Sequence, residues 1–353
     1  MKHIYLRLHE EEKKGTPIVL ATVTSTIGST PQKPGSSALI GPHGLLAGTV
    51  GGGIVEGKVL ELAALALASG KSGHYTFDLA HEISDQSEAI CGGKITVLVD
   101  ANVKNSQKVF QNIGTSLAEK KLGVLITMVT RFTEDNVLIN RYWMTTDDIP
   151  ALPEDFLKVI EPEVRRIINS GNHTSYRQLE LSVKNEEPSS LFFLEPVFPP
   201  EQLVIAGAGH IGSALAHLGS MLNFEVTVID DRGEYANFAN IPDADHIIVS
   251  DIGNAVSEIP GNEKTYIVIV TRGHKDDASA LRQVIGQPLA YIGMIGSKKK
   301  IAAMRSDFIE KGLATADQWK KIHAPVGLDI KSQTVEEIAI SIAAQLVLVR
   351  NSK

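Results

Sequence analysis

Residues 203–206, 225–229, 246–249, 266–271 and 290–295 are near-continuous apolar runs. They lack the alternation of a half-exposed strand, so they predict strands of a parallel sheet covered on both faces. Between and beyond them the period changes. Residues 210–222 place Ile211, Leu215, Leu218 and Leu222 on one helical stripe. Residues 301–312 form a second amphipathic pattern, and residues 334–349 a third, opened by Thr334 and Glu337 at capping-box spacing. Strand and helix thus alternate, which predicts an α/β, Rossmann-like, doubly wound parallel sheet over residues 201–353.

The first half is patterned differently. Residues 1–14 predict a short helix, and 18–23 a β-branched strand. Residues 28–37 are rich in Gly, Ser, Thr and Pro and read as a loop. Strands at 38–40 and 45–50 flank Gly41-Pro42-His43-Gly44, a hairpin signal. Gly51-Gly52-Gly53 then leads into an apolar helix over 54–68, closed by Gly70. Further strands are expected at 75–79, 95–99, 123–130 and 191–194, and a helix at 156–170 stopped by Gly171. The result is a mixed α+β, glycine-rich domain over residues 1–195. Pro196, Pro199 and Pro200 are the expected linker.

A chain of 353 residues suits two domains. The net charge of −7 argues against a broad grip on nucleic acid. No stretch reaches the roughly 20 apolar residues of a membrane span, and the N-terminus lacks an apolar signal core. A cytoplasmic protein is expected, with no membrane or nucleic-acid partner. Cys91 is the single cysteine, so an internal disulfide and a four-cysteine zinc site are excluded. The eleven histidines are scattered without His-x₃-His pairs, and no metal site is expected.

The strongest chemical signal is Gly207-Ala208-Gly209-His210-Ile211-Gly212, which fits G-x-G-x-x-G between a strand and a helix. Gly207 would allow the tight turn, Gly209 the approach of a phosphate, and Gly212 close packing of helix on sheet. Asp230 follows the next strand at the position of a ribose ligand, beside Asp231 and Arg232. A carboxylate there favours NAD, or it is a plain strand-end cap. Arg272, His274 and Asp276 follow the 266–271 strand and should face the fingerprint loop. Gly296-Ser297-Lys298 and the run Lys298 to Lys300 read either as a capped, solvated helix start or as an anion site. In the first half, Gly51, Gly52, Gly53 and Glu56 form a second glycine turn at a helix start. Cys91 with Gly92 and Gly93 reads either as a small buried hydrophobe or as an accessible thiol, and no residue is assigned a catalytic role beyond that candidate.

Taken in order, several segments resemble the xanthine dehydrogenase accessory proteins, the XdhC/CoxI family. They are Gly35-Ser36-Ser37, the 50–57 glycine loop, Cys91-Gly92-Gly93, and the fingerprint with Asp230-Asp231-Arg232. Residues 271–276, 291–297, Ala324-Pro325-Val326-Gly327-Leu328-Asp329 and the 336–346 helix continue the match. The likeness is thinnest over 101–195. It implies a chaperone that binds the molybdenum cofactor (molybdopterin), supports its sulfuration with a cysteine desulfurase, and helps load it into a molybdenum hydroxylase such as xanthine dehydrogenase. Many relatives carry a cysteine where this chain has Ile54, which leaves Cys91 as the one sulfur nucleophile here. The 51–53 loop and Cys91 would complete a cofactor site across a domain cleft. Other readings are an NAD-dependent oxidoreductase with His274 as acid–base, and a nucleotide-sensing module with NAD or another nucleotide in the Rossmann domain. No dehydrogenase catalytic set has recognisable spacing. A homodimer is expected, as the commonest oligomer.

Overall fold

The structure is a computed structural model that describes residues 4–79, 92–170, 176–181 and 190–352. The chain divides into two compact units, Lys2–Pro199 and Pro200–Lys353.

In the N-terminal unit α1 (Ile4–Lys13) precedes β1 (Val19–Ile27), β2 (Ser37–Gly41), β3 (Gly44–Gly48), α2 (Gly53–Ser69), β4 (Gly73–Asp78) and β5 (Lys94–Asp100). These strands make one sheet in the order β3-β2-β1-β5-β4, every pair antiparallel. α3 (Gln107–Ala118), β6 (Gly123–Thr133), β7 (Asn136–Met144), α4 (Glu154–Ser170), β8 (Arg177–Leu181) and β9 (Ser190–Val197) follow. They add a second antiparallel sheet, β7-β6-β9-β8. Alternation along each central strand divides the cores. Val19, Ala21 and Val23 of β1 pack under α2, and Val124 and Ile126 of β6 pack under α4. The opposite faces meet α1 and α3 through Leu20, Leu125, Tyr5 and Phe110.

That inner layer is not wholly apolar. A cavity of about 10 Å³ is lined by Thr22, Thr24, Thr127, Arg141, Tyr176 and Glu195 among others, room for one water. Tyr5 Oη donates to Glu195 Oε2 at 2.7 Å, and the buried Arg141 guanidinium pairs with Asp100. Burial pushes the Glu195 carboxyl up to about 7, although Tyr5 and Arg141 pull it down. His74 Nε2 meets Thr24 Oγ1 at 2.8 Å, and burial holds its imidazole down at about 4, with Arg131 adding to the effect.

In the C-terminal unit β10 (Gln202–Ala206), α5 (His210–Met221), β11 (Glu225–Asp230), β12 (His246–Val249), α6 (Ile252–Ser257), β13 (Thr265–Ile269), α7 (His274–Val284), β14 (Tyr291–Met294), α8 (Lys298–Glu310), α9 (Ala316–Lys320), β15 (Ile322–His323) and α10 (Val335–Asn351) build a six-stranded sheet. Every pairing is parallel. The spatial order β12-β11-β10-β13-β14-β15 is 3-2-1-4-5-6 within the unit, the doubly wound Rossmann order. One face packs on α5 and α10, the other on α6, α7 and α8. The α/β class with a mixed first half is therefore as the patterning predicts.

Two expectations change. Pro196 is not linker: it lies in β9, paired with Val124. The strand expected over 266–271 ends at Ile269, and His274 already begins α7. No helix among the described residues is long and apolar enough to cross a membrane.

Candidate functional site

The strand order reverses between β10 and β13, and the fingerprint loop lies there. A side chain on Gly207 would place its Cβ 2.4 Å from the Val270 carbonyl oxygen, and the backbone φ is +123°. A Cβ on Gly212 would stand 1.8 Å from the Gly207 oxygen. Packing therefore demands glycine at the first and third positions. Around Gly209 nothing lies within 4 Å of a built Cβ, so the approach to the backbone is open. Gly209 caps α5 with no side-chain hydrogen bond, which leaves the first-turn N–H groups and the positive dipole end for an anion. His210, first residue of α5, is exposed.

Asp230 ends β11 and is buried. Its Oδ2 accepts the Ala208 N–H at 2.8 Å and Arg232 Nη2 at 3.0 Å. Its Oδ1 accepts the Arg232 N–H at 3.0 Å and Arg232 Nε at 2.9 Å. Burial alone would raise this carboxyl, but hydrogen bonds from Arg232 and Ala208 outweigh it and hold it at about 2. The Arg232 guanidinium lies over the Tyr235 ring, 4.1 Å from its centroid. Asp231 stands between two arginines, 3.8 Å from Arg232 Nε and 3.1 Å from Arg272 Nη2. Arg272 Nε is 3.9 Å from Asp276, while His274 is exposed at the start of α7. The structure thus gathers Asp230, Asp231, Arg232, Arg272 and Asp276 at the end of the sheet that carries the fingerprint loop.

Sequence reasoning missed Asp277, which is fully buried. It accepts from Thr271 Oγ1 at 2.5 Å and from Lys300 Nζ at 2.6 Å. That tie fixes the start of α7 to the start of α8. Lys300 is therefore part of an internal ion pair, and its N–H is capped by Ser297 Oγ. Nothing in the sequence around Asp277 marks it as buried. The 324–329 motif is held in the same structural way: Gly327 N donates to Gln345 Oε1 at 2.9 Å, and Ser341 Oγ to the Leu328 carbonyl at 2.6 Å.

The N-terminal glycine turn belongs to the Lys2–Pro199 unit. Gly51, Gly52 and Gly53 have φ of +142°, +67° and +55°, a run of conformations that only glycine adopts readily. Thr49 Oγ1 accepts the Gly51 N–H at 3.2 Å and donates to Glu56 Oε2 at 2.7 Å, so Glu56 is bound to its own loop. Gly52 caps α2 without a side-chain bond, and Ile54 is 42% exposed just behind it. Cys91 lies outside the described residues. Gly93 presses on the loop after β1: a Cβ there would be 2.4 Å from the Ser29 oxygen. The same loop meets Gly51 through Pro31. Residues 28–36 are thus the shared neighbour of Gly51 and Gly93. Among the described residues no group of three or more His, Cys, Asp or Glu could hold a metal ion.

Residues 203–346 match the XdhC Rossmann domain, and residues 12–78 match the XdhC and CoxI family. The chain belongs to the XdhC and CoxI family. Its relatives include the uncharacterised protein YqeB of Escherichia coli strain K12, 23% identical over 351 residues. That alignment takes in 99% of this chain and 47% of YqeB, so the chain spans about half of that relative's length. A protein of Bacillus subtilis strain 168 named as a probable xanthine dehydrogenase subunit is 24% identical over 337 residues, 94% of this chain and 93% of that protein. The crystal structure of a xanthine dehydrogenase from Bacillus halodurans superposes with a TM-score of 0.77 at 24% identity, over 99% of this chain and 96% of that one. At that identity the last comparison establishes a shared fold.

Proposed function

We propose that this XdhC/CoxI member is an accessory factor of xanthine dehydrogenase that binds the molybdenum cofactor, supports its sulfuration and passes it to the hydroxylase. Membership of the family carries the reading, and the xanthine dehydrogenase name of the Bacillus subtilis relative supports the accessory role. The residues present fit the phosphate end of such a cofactor. α2, α5 and α7 are capped by Gly52, Gly209 and Gly273 with no side-chain hydrogen bond, whereas Asp251, Ser297, Thr315 and Thr334 cap α6, α8, α9 and α10 with theirs. Free first-turn N–H groups are therefore left at the glycine-capped starts. When bound, the cofactor supplies the molybdenum centre at which a hydroxylase works. This chain's part is to hold the phosphate on backbone N–H groups and to offer Cys91 as a thiol to the sulfur end. A cysteine desulfurase would be the sulfur donor, and a homodimer the assembly.

The oxidoreductase reading is weaker, because the carboxylate expected to accept from a nicotinamide dinucleotide's ribose already accepts four hydrogen bonds. The test is to purify the protein from a host that makes the cofactor. Bound pterin is then quantified by fluorescence after oxidation, and molybdenum by elemental analysis. Stoichiometric pterin in the parent and its loss in Cys91→Ser are the expected result. A protein that carries no pterin but a tightly bound nucleotide overturns the reading.

A further inference from the structure

An ionised carboxylate offers about four acceptor positions, two on each oxygen. On Asp230 all four are taken, two by backbone N–H groups and two by the side chain of Arg232. The backbone pair has one job. Ala208 is the second residue of the fingerprint, so its N–H on Oδ2 pins the phosphate loop to the end of β11. The side-chain pair has another geometry. Nε sits on Oδ1 at 2.9 Å and Nη2 on Oδ2 at 3.0 Å, a planar fork spanning both oxygens. That is the pattern of donors a ribose 2′,3′-diol would present to the same carboxylate. The fork is held from behind by the Tyr235 ring, and the Arg232 side chain is only 21% exposed.

We infer that Arg232 is the specificity-determining residue of this site: its fork occupies the diol position on Asp230, and the fingerprint loop therefore takes a phosphate monoester that presents no vicinal diol there. Asp230 is a positioning residue for the loop and not a ligand contact. The inference rests on the reading of the Gly207–Gly212 loop as a phosphate site. It narrows that reading to a phosphate-ended ligand, as opposed to an NAD-like dinucleotide. Removing the Arg232 side chain frees one acceptor position on each Asp230 oxygen and leaves the Ala208 N–H in place. The variant should gain a recognition the parent lacks, a result that misfolding cannot imitate.

The probes are adenosine 5′-monophosphate and its 2′,3′-dideoxy analogue, which differ only in the diol. Their affinities for the full chain are measured by calorimetry in the parent, in Arg232→Ala and in Arg232→Met, which keeps packing bulk over Tyr235 but no donor. The parent should bind the two probes alike or not at all. Both single variants should prefer the diol at least tenfold, and Asp230→Asn added to Arg232→Ala should abolish that preference. A tenfold diol preference in the parent overturns the inference. So does its absence from both folded single variants. Pterin and molybdenum contents are read separately, so an empty cofactor site in the parent would remove the carrier reading while leaving the diol result to stand or fall alone.

Discussion

Glu195 and His74 are two buried titratable groups displaced in opposite senses, one raised to about 7 and the other lowered to about 4. Their contributions to stability oppose each other. Glu195 binds its proton more tightly folded than unfolded, so it favours folding below about pH 4.5, and that stability is lost as pH rises to about 7. His74 binds its proton less tightly folded, so stability is gained as pH rises from about 4 to about 6.5. Each displacement is worth on the order of 3 kcal/mol. In the parent the two slopes nearly cancel between about pH 4.5 and 6.5. Glu195→Gln, which can still accept from Tyr5, should leave a rising curve from about pH 4 to 6.5. His74→Gln should leave a falling one from about pH 4.5 to 7. Urea melts across that range measure both, and two flat curves would show that neither group carries its charge change in the folded core.

At the scale of elements, the glycines of the fingerprint divide into those that packing requires and the one that it does not. Gly212→Ala forces a methyl onto the Gly207 oxygen, so α5 must move off the sheet. It should cost about 3 kcal/mol, the upper range of overpacking. Gly209→Ala meets open space at an ordinary φ of −71° and should stay within about 1 kcal/mol of the parent. Its methyl would stand where a phosphate approaches, so retained pterin should fall although urea stability holds. The reverse pattern would mean that the loop is packed for structure alone. This division was legible in the sequence, because a parallel sheet buried on both faces leaves continuous apolar runs and the motif sits between two of them. The saturation of Asp230 was not: Asp230-Asp231-Arg232 records neighbouring charges but not which way the arginine folds. β7 was hidden for a similar reason. Only Arg141, Trp143 and Met144 of its nine residues are buried, and it is joined to β6 through Glu134 and Asp135, without a glycine to announce the turn. α7 was masked by its polar opening, His274-Lys275-Asp276-Asp277, of which only Asp277 turns inward.

At the scale of the whole chain, each unit holds its own core. The buried clusters of the C-terminal unit draw on residues 203–346, and those of the N-terminal unit on residues 5–197. A fragment of residues 200–353 should therefore fold alone, since it keeps a complete six-stranded sheet with helices on both faces. Where it is cut matters. The Glu201 carbonyl accepts the Glu225 N–H at 2.9 Å, Tyr266 Oη donates to Glu201 Oε1 at 3.3 Å, and the Gln202 N–H meets the Lys264 carbonyl at 3.0 Å. These bonds anchor the first strand of the sheet to its two neighbours. A fragment of residues 203–353, which begins where the match to the family's Rossmann domain begins, loses all three, and at about 1 kcal/mol for each hydrogen bond it should be about 3 kcal/mol less stable. Calorimetric melting of the two fragments decides the point. A single cooperative transition for 200–353, with a lower one for 203–353, is the expected outcome. A fragment 200–353 that binds hydrophobic dye and melts without a transition would mean that the C-terminal unit needs the first 199 residues to hold its fold.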